Sequence, residues 1–359
     1  MAKLGDVCKK ATSNLAQKDL DGRSGEYPVY GASGFITNVD FYQQENPYIA
    51  VVKDGAGVGR VMKLPAKSSV IGTMQYIIPN GDIDISYLAY AMEHMNLSKY
   101  YTGATIPHIY FKDYQKEELP LPNLAEQRKI AAVLDKVSNL IAKRQAQLDK
   151  LDLLVKAKFL EMFGDIHNST DFPYLPIKDF ANVVSGGTPD RNSPQYWDNG
   201  TIKWVKTTEL QNGIIEDTEE KITKQGLENS SAKIVPADTI LIAMYGQGKT
   251  RGMTGYLAVE AATNQACACI LPSSKINQKY LWYYMIMSYE KLRSLAKGGN
   301  QPNLNGAMIK SFLVLMPPKE LQDLFVAFVE HTEETKTSIS WSLAKLETLK
   351  KALMQGYFG

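Results

Sequence analysis

Between residues 130 and 162 the apolar positions fall into two rows with a spacing of seven. One row is Leu134, Ile141, Leu148, Val155 and Met162; the other is Ile130, Val137, Arg144, Leu151 and Lys158. Such a heptad pattern draws a stripe along one side of an α-helix, and that stripe requires a partner helix. The pattern predicts a long helix within 122–164. A second long helix is predicted within 317–359, with Phe325, Thr332, Ile339, Leu346 and Leu353 in the equivalent row and Leu343 beside it. Proline precedes both segments, which suits a helix start because the first N–H groups have no intrahelical partner. At 1.5 Å of rise per residue, each helix would be a rod of roughly 60 Å.

Outside these segments the period changes. In 1–121, YIAVVKDGAGVGRVMKL predicts a strand, a glycine loop and a strand, and SVIGTMQYIIPNGD a further strand closed by a turn. ISYLAYAMEHMNLSKYY has helical spacing through Leu88, Met92, Met95 and the pair Tyr100 and Tyr101. Residues 165–316 repeat the order in longer form. GTIKWVKTTEL, DTILIAMYGQGKTRGMTGYLAV and QACACILPS are strand-and-turn regions, followed by the helical KYLWYYMIMSYEKLRSLA.

The repetition extends to single residues. Pro122 and Pro317, Gln127 and Gln322, Phe163 and Phe358, and Gly164 and Gly359 are identical pairs at one common offset of 195. Tyr87-Leu88 answers to Tyr280-Leu281. The chain therefore reads as an internal pseudo-repeat: domain 1 (1–121), helix 1 (122–164), domain 2 (165–316) and helix 2 (317–359). The fold class is α/β, two mixed α+β domains with two long antiparallel coiled-coil helices. Intramolecular pairing of the helices is favoured over pairing between chains, because two copies in one chain are always at high effective concentration.

Composition adds little. A hydrophobic fraction of 44% and a charged fraction of 22% describe an ordinary folded protein. A net charge of +2 means that any nucleic-acid surface must be a local patch. The cysteines are few (Cys8, Cys267 and Cys269), and no histidine lies near them to suggest a metal site, so none is expected. With no apolar leader and no run approaching 18 apolar residues, the expectation is a cytoplasmic protein with no membrane partner.

Catalytic motifs fail on inspection. Ala243-Met-Tyr-Gly246-Gln-Gly248-Lys249-Thr250 resembles a phosphate loop, but such a loop needs a following helix, and Arg251-Gly252-Met253-Thr254-Gly255 is poor helix sequence. Gly55, Gly57 and Gly59 lack dinucleotide spacing. The Asn/Asp-Pro-Pro-aromatic tetrapeptide of amino-methyltransferases is missing, as is a nucleophile elbow. No catalytic residue is assigned. What remains are polar, basic and aromatic loop residues of the kind that contact base edges and phosphates. In domain 1 these are Lys53, Arg60, Thr73, Gln75, Lys99, Tyr101, Thr105 and His108. In domain 2 they are Thr188, Arg191, Lys206, Gln247, Lys249, Arg251, Gln265, Lys297, Asn300, Gln301 and Asn303.

The stretch NLAEQRKIAAVLDKVSNLIAKRQAQLDKLDLLVKAKFLEMFGD closely resembles the central helix of type I restriction–modification specificity subunits. LGDVCKKATS, YPVYGASGFI, VVSGGTP and TIKWVKTTEL resemble the openings of their target-recognition domains. The resemblance covers essentially the whole chain. It implies a non-catalytic subunit that reads a bipartite site in double-stranded DNA, one half per domain, with the helices as spacer. It further implies two docked modification (methyltransferase) subunits and ATP-driven restriction subunits. S-adenosylmethionine and ATP with Mg would then belong to those partners, and this chain would carry no cofactor. The competing readings are a stand-alone DNA methyltransferase or nuclease with fused recognition domains, and a coiled-coil scaffold that binds no nucleic acid.

Overall fold

Each heptad-patterned segment forms one unbroken helix of 40 residues, Leu124–Phe163 and Lys319–Phe358. The computed structural model describes residues 1–103, 106–246, 248–296 and 303–359. Asn123 caps the first helix: its Oδ1 accepts the Glu126 N–H at 3.0 Å, pairing a donor that the first turn leaves free. The helix ends at Gly164, which takes φ +73° and donates its N–H to the Leu160 carbonyl, a left-handed stop suited to glycine. All ten positions of the two heptad rows in this helix are buried or half-buried, including Ile141, Leu148 and Leu151. In the second helix Phe325 and Thr332 are buried, and Ile339, Leu343, Leu346 and Leu353 are half-buried.

Packing divides the chain into two units. The first comprises Met1–Leu148 with Ser338–Gly359, and the second comprises Asp149–Thr337. The four sequence segments are elements of the chain, whereas these units cut both long helices near their middles. In the first unit Ile130, Ala131 and Leu134 share a core with Met354 and Phe358. In the second, Val155, Phe159 and Phe163 share a core with Phe325, Val326 and Val329. In both units, then, the start of one long helix packs on the end of the other, which is antiparallel pairing within one chain. Charged groups flank the seam: Lys350 pairs with Glu93 at 2.8 Å, and Lys336 pairs with Asp152 at 2.5 Å.

The first unit contains an antiparallel sheet ordered Cys8–Thr12, Met74–Pro79, Tyr48–Val52, Val61–Leu64. Tyr48–Val52 is buried at every position, so both of its faces are covered. The alternation of a strand sends Ile49 and Val51 to the core that holds the helix Ile85–His94 and the long helices. Tyr48, Ala50 and Val52 point to the opposite core. A second sheet is ordered Gly34–Val39, Tyr27–Gly31, Ser69–Val70, the last pair being parallel.

The second unit repeats this arrangement with one strand added to each sheet. Its larger sheet runs Val183–Ser185, Cys267–Ile270, Ile240–Ala243, Thr254–Leu257, with Gly213–Ile215 added in parallel at the edge. Its other sheet contains Glu220–Ile222, Ile202–Val205, Ala261–Thr263 and Ile234–Val235. The parallel contact recurs between Ile202–Val205 and Ala261–Thr263. The helix Gln278–Met287 takes the place of Ile85–His94. Burial pushes the Cys8 thiol up to about 12 and raises Cys267 well above its ordinary value, so these thiols are packing groups.

The two identical glutamines explain how each domain is fixed to its helix. Gln127 is 1% exposed; its amide donates to the Pro122 carbonyl, and its oxygen accepts the N–H of Asp84, the cap of Ile85–His94. Gln322, also 1% exposed, bonds Pro317 and the N–H of Asn277, the cap of Gln278–Met287, in the same way. One buried side chain thus satisfies a backbone acceptor and a half-buried backbone donor on two different elements. Gln127→Ala or Gln322→Ala should each destabilise the protein by about 1–2 kcal/mol, because two half-buried or buried backbone groups lose their hydrogen bond. Each loss should appear in its own unit and the double variant should show both, as the sites lie in separate units. Urea unfolding of the single and double variants measures this, and a loss below about 0.5 kcal/mol would mean that water replaces the amide.

Candidate nucleic-acid interface

In the first unit, backbone hydrogen bonds gather three loops at one end of the sheet. Lys53 and Asp54 donate their N–H groups to the Thr73 carbonyl at 3.0 and 3.2 Å, and Gly55 donates to the Pro107 carbonyl at 2.9 Å. Ile109 donates back to Lys53 at 2.9 Å. The hairpin loop can lie this close because Gly55, Gly57 and Gly59 all take positive φ. At Gly59 a Cβ would stand 2.4 Å from the Ser98 nitrogen, so only glycine fits there.

The charged candidates around this loop are already engaged. The Asp54 carboxylate pairs with both the Lys53 ammonium and His108 Nδ1, and the His108 ring stands edge-on to Tyr110 at 4.2 Å. Arg60 donates to the Ala32 carbonyl at 2.7 Å. Lys99 pairs with Glu117, which also accepts from Tyr100. Burial opposes ionisation of Glu117, but the bonds from Lys99 and Tyr100 and the Lys99 charge outweigh it and hold the carboxyl below its usual range. Tyr101, 59% exposed, Ile106, 65% exposed, and Tyr110 supply open apolar and aromatic surface beside these pairs. Thr73 is exposed through its side chain. Gln75 is a correction to the sequence reading: it is 5% exposed and accepts the Tyr114 hydroxyl at 3.0 Å, so it belongs to the interior. Its neighbours Met74 and Tyr76 are buried in the core on the other face, so this strand is covered on both sides and Gln75 faces the interior that holds Tyr114.

The second unit assembles a corresponding end. Gly187 donates to the Thr263 carbonyl, Asn264 to that of Val205, Met244 to that of Ala266 and Leu304 to that of Met244. These bonds bring the loops holding Thr188, Lys206, Lys249, Gln265 and Asn303 to neighbouring strand ends. Thr188 and Gln265 hydrogen-bond directly through their side chains. Arg191 stacks its guanidinium on Trp197 at 3.8 Å and on Trp204 at 4.7 Å, and pairs with Glu220. Lys206 pairs with Glu219 at 2.7 Å and Glu220 at 3.1 Å, and these bonds raise its ammonium above the usual lysine range. Arg191 and Lys206 therefore meet acidic partners, which leaves less free positive charge than the sequence reading assumed. Lys249 is exposed on the hairpin loop and Arg251 is half-buried there. The chain after Gly252 enters the strand Thr254–Leu257 and not a helix, so the loop lacks the helix N-terminus that phosphate binding of the ATP type requires. Thr105, Gln247, Lys297, Asn300 and Gln301 lie outside the described residues. Among the described residues no cluster of metal-ligating side chains occurs, and no helix is long and apolar enough to cross a membrane.

Sequence reasoning paired Gln127 with Gln322 without assigning them work, and it missed Tyr289 and Arg293, which touch the hairpin loop of the second unit. The common offset was the available signal for the glutamines. Tyr289 and Arg293 carried no such signal.

Two kinds of comparison agree with this architecture. The family profile described as the type I restriction modification DNA specificity domain matches residues 1–151 and 170–348. The chain is 24% identical over 262 residues to the EcoR124I/EcoR124II specificity subunit of Escherichia coli, a match covering 69% of this chain and 63% of that protein. It is 25% identical to the MjaVIII specificity subunit of Methanocaldococcus jannaschii, covering 98% of this chain and 89% of that one. In fold it is similar to the type I restriction–modification S subunit from M. genitalium, with a TM-score of 0.66 at 14% identity over 100% of this chain and 95% of that one. A chain from a structure of a type I R-M system gives a TM-score of 0.58 at 15% identity, covering 99% and 96%.

Proposed function

Since the chain belongs to the type I restriction modification DNA specificity family, we propose that it is the non-catalytic specificity subunit of such a complex and reads a bipartite site in double-stranded DNA. The observation that carries this reading is the duplication: two units of one topology, each presenting a loop-built end, are joined by two helices that both units share. A single reader would need no second copy, and a scaffold would need no loop ends stitched by backbone bonds. In this reading each unit contacts one half-site and the helices fix the unread gap. Two modification subunits bind S-adenosylmethionine and dock on the chain, and restriction subunits supply ATP-driven movement. The candidates best placed for DNA are the open groups Tyr101, Thr73, Lys249 and Gln265, with Lys53, His108, Lys206 and Arg191 holding loop shape through their acidic partners.

Genome-wide methylation mapping, with and without this chain beside its modification subunits, tests the proposal. A bipartite methylated motif that depends on the chain is expected. Replacing 165–316 by the corresponding domain of a relative should change one half of the motif and leave the other. A change in both halves would contradict independent readers. The purified chain alone should neither methylate nor cleave DNA nor hydrolyse ATP. Turnover lost in Lys249→Ala would favour a stand-alone enzyme instead.

A further inference from the structure

The hairpin loop of the second unit, residues 244–253, contains Gly246, Gly248 and Gly252, all at positive φ. Three glycines allow the turn, yet they also give an isolated loop wide conformational freedom. A loop that reads bases must hold its side chains in one register, so something outside it must supply order. The short helix Tyr289–Ser294 does so with two side chains one turn apart. The Tyr289 hydroxyl donates to the Lys249 carbonyl at 2.7 Å. Arg293 Nη1 donates to the Arg251 carbonyl at 2.8 Å and to the Tyr289 hydroxyl at 3.0 Å. The guanidinium lies 5.2 Å from the centre of the Tyr289 ring. Between the two anchored carbonyls and the strand, Gly252 faces the same pair: a Cβ there would stand 3.3 Å from Arg293 Cγ and 3.4 Å from the Tyr289 ring.

The first unit solves the same problem differently. Asn96 and Tyr100 stand where Tyr289 and Arg293 do, at the offset of 193 that relates Tyr87 to Tyr280. Tyr100 bonds Glu117, and the hairpin loop is held by close packing of Gly59 on the Leu97–Ser98 backbone. Among the described residues, Asn96 and Tyr100 make no counterpart of the carbonyl clamp formed by Tyr289 and Arg293.

We propose that Tyr289 and Arg293 are positioning residues that fix the 244–253 loop for sequence reading in the second half-site. This rests on the DNA-specificity reading above. Neither residue needs to touch DNA, because each acts through a loop carbonyl.

The test uses the full chain with two mild variants, Tyr289→Phe and Arg293→Lys, and their combination. Tyr289→Phe removes one hydroxyl and keeps the ring on Gly252. Arg293→Lys keeps the charge and loses the guanidinium fork. Two readouts are taken. Amide hydrogen exchange at Gly252 and Met253, without DNA, should speed up about tenfold in the double variant while the first unit's amides stay unchanged. Methylation mapping should show roughly tenfold weaker discrimination in the half-site read by the second unit, with the other half intact. Unchanged exchange would overturn the clamp. Faster exchange with an unchanged motif would overturn its role in reading. Equal loss in both halves would mean general destabilisation and would overturn the proposal as well. A wild-type chain that directs no bipartite motif would refute the specificity reading, and the reading role of the clamp with it, whatever the exchange data show.

Discussion

Phe163→Ala is expected to destabilise the second unit by about 3–5 kcal/mol, the cost of deleting a fully buried aromatic ring from a core that cannot close around the space. Phe163 is 0% exposed, and its ring lies 4.9 Å from Phe159, 5.5 Å from Tyr280, 5.7 Å from Phe325 and 6.2 Å from Phe172. These rings come from both long helices and from the domain, so one deletion loosens three elements together. Its repeat partner Phe358 is 9% exposed and has Tyr87 at 5.1 Å and His94 at 6.0 Å. Phe358→Ala should therefore cost less, about 3 kcal/mol or under. Tryptophan fluorescence in urea separates the two, because Trp197, Trp204 and Trp282 lie in the second unit and only Trp341 in the first. The Phe163 variant should shift the fluorescence transition strongly and the Phe358 variant weakly. Equal shifts would mean that the two units unfold as one.

A whole heptad inserted into both long helices, after Lys143 and after Ser342, should lengthen the unread gap of the DNA site. Seven residues add about 10 Å of helix and preserve the seam, because the inserted turns continue the same apolar rows. At about 3.4 Å per base pair the methylated motif should gain roughly three unread positions, with both half-sites unchanged. Insertion into one helix alone should instead disrupt the complex, since the antiparallel seam needs equal lengths. An unaltered gap at full activity would remove the helices from the role of spacer.

The parts legible in the sequence were those set by short-range periodicity or by the repeat. The heptad rows located both helices to within a few residues, and the glycine hairpins of both units were recognisable as strand–loop–strand. The sheet order was not legible, because strand pairs such as Tyr27–Gly31 with Ser69–Val70 join segments that share no local pattern. Nor were the two-residue strands Ala2–Lys3 and Glu118–Leu119, which hold the start of the first domain beside its end. At the candidate interface the residue types were readable and their partners were not. Glu219 and Glu220 were plain in the sequence, but only the strand register places them against Arg191 and Lys206. A shift of one residue would have turned Glu220 to the other face. Gln75 was misplaced because the segments that cover both faces of its strand are distant in sequence.

The division of the chain into units also sets an order of events during synthesis. The second unit is continuous, Asp149–Thr337, and has all its parts once residue 337 is made. The first unit begins at Met1 but needs Ser338–Gly359. At 5–20 residues per second, its sheet and first half-helix wait on the order of ten to forty seconds for those last residues. During that interval Tyr87, Ile130 and Leu134, which end up 0%, 8% and 0% exposed, lack the cover of Met354 and Phe358. The half begun first is thus finished last, and the nascent chain carries an open apolar face throughout the making of its second half.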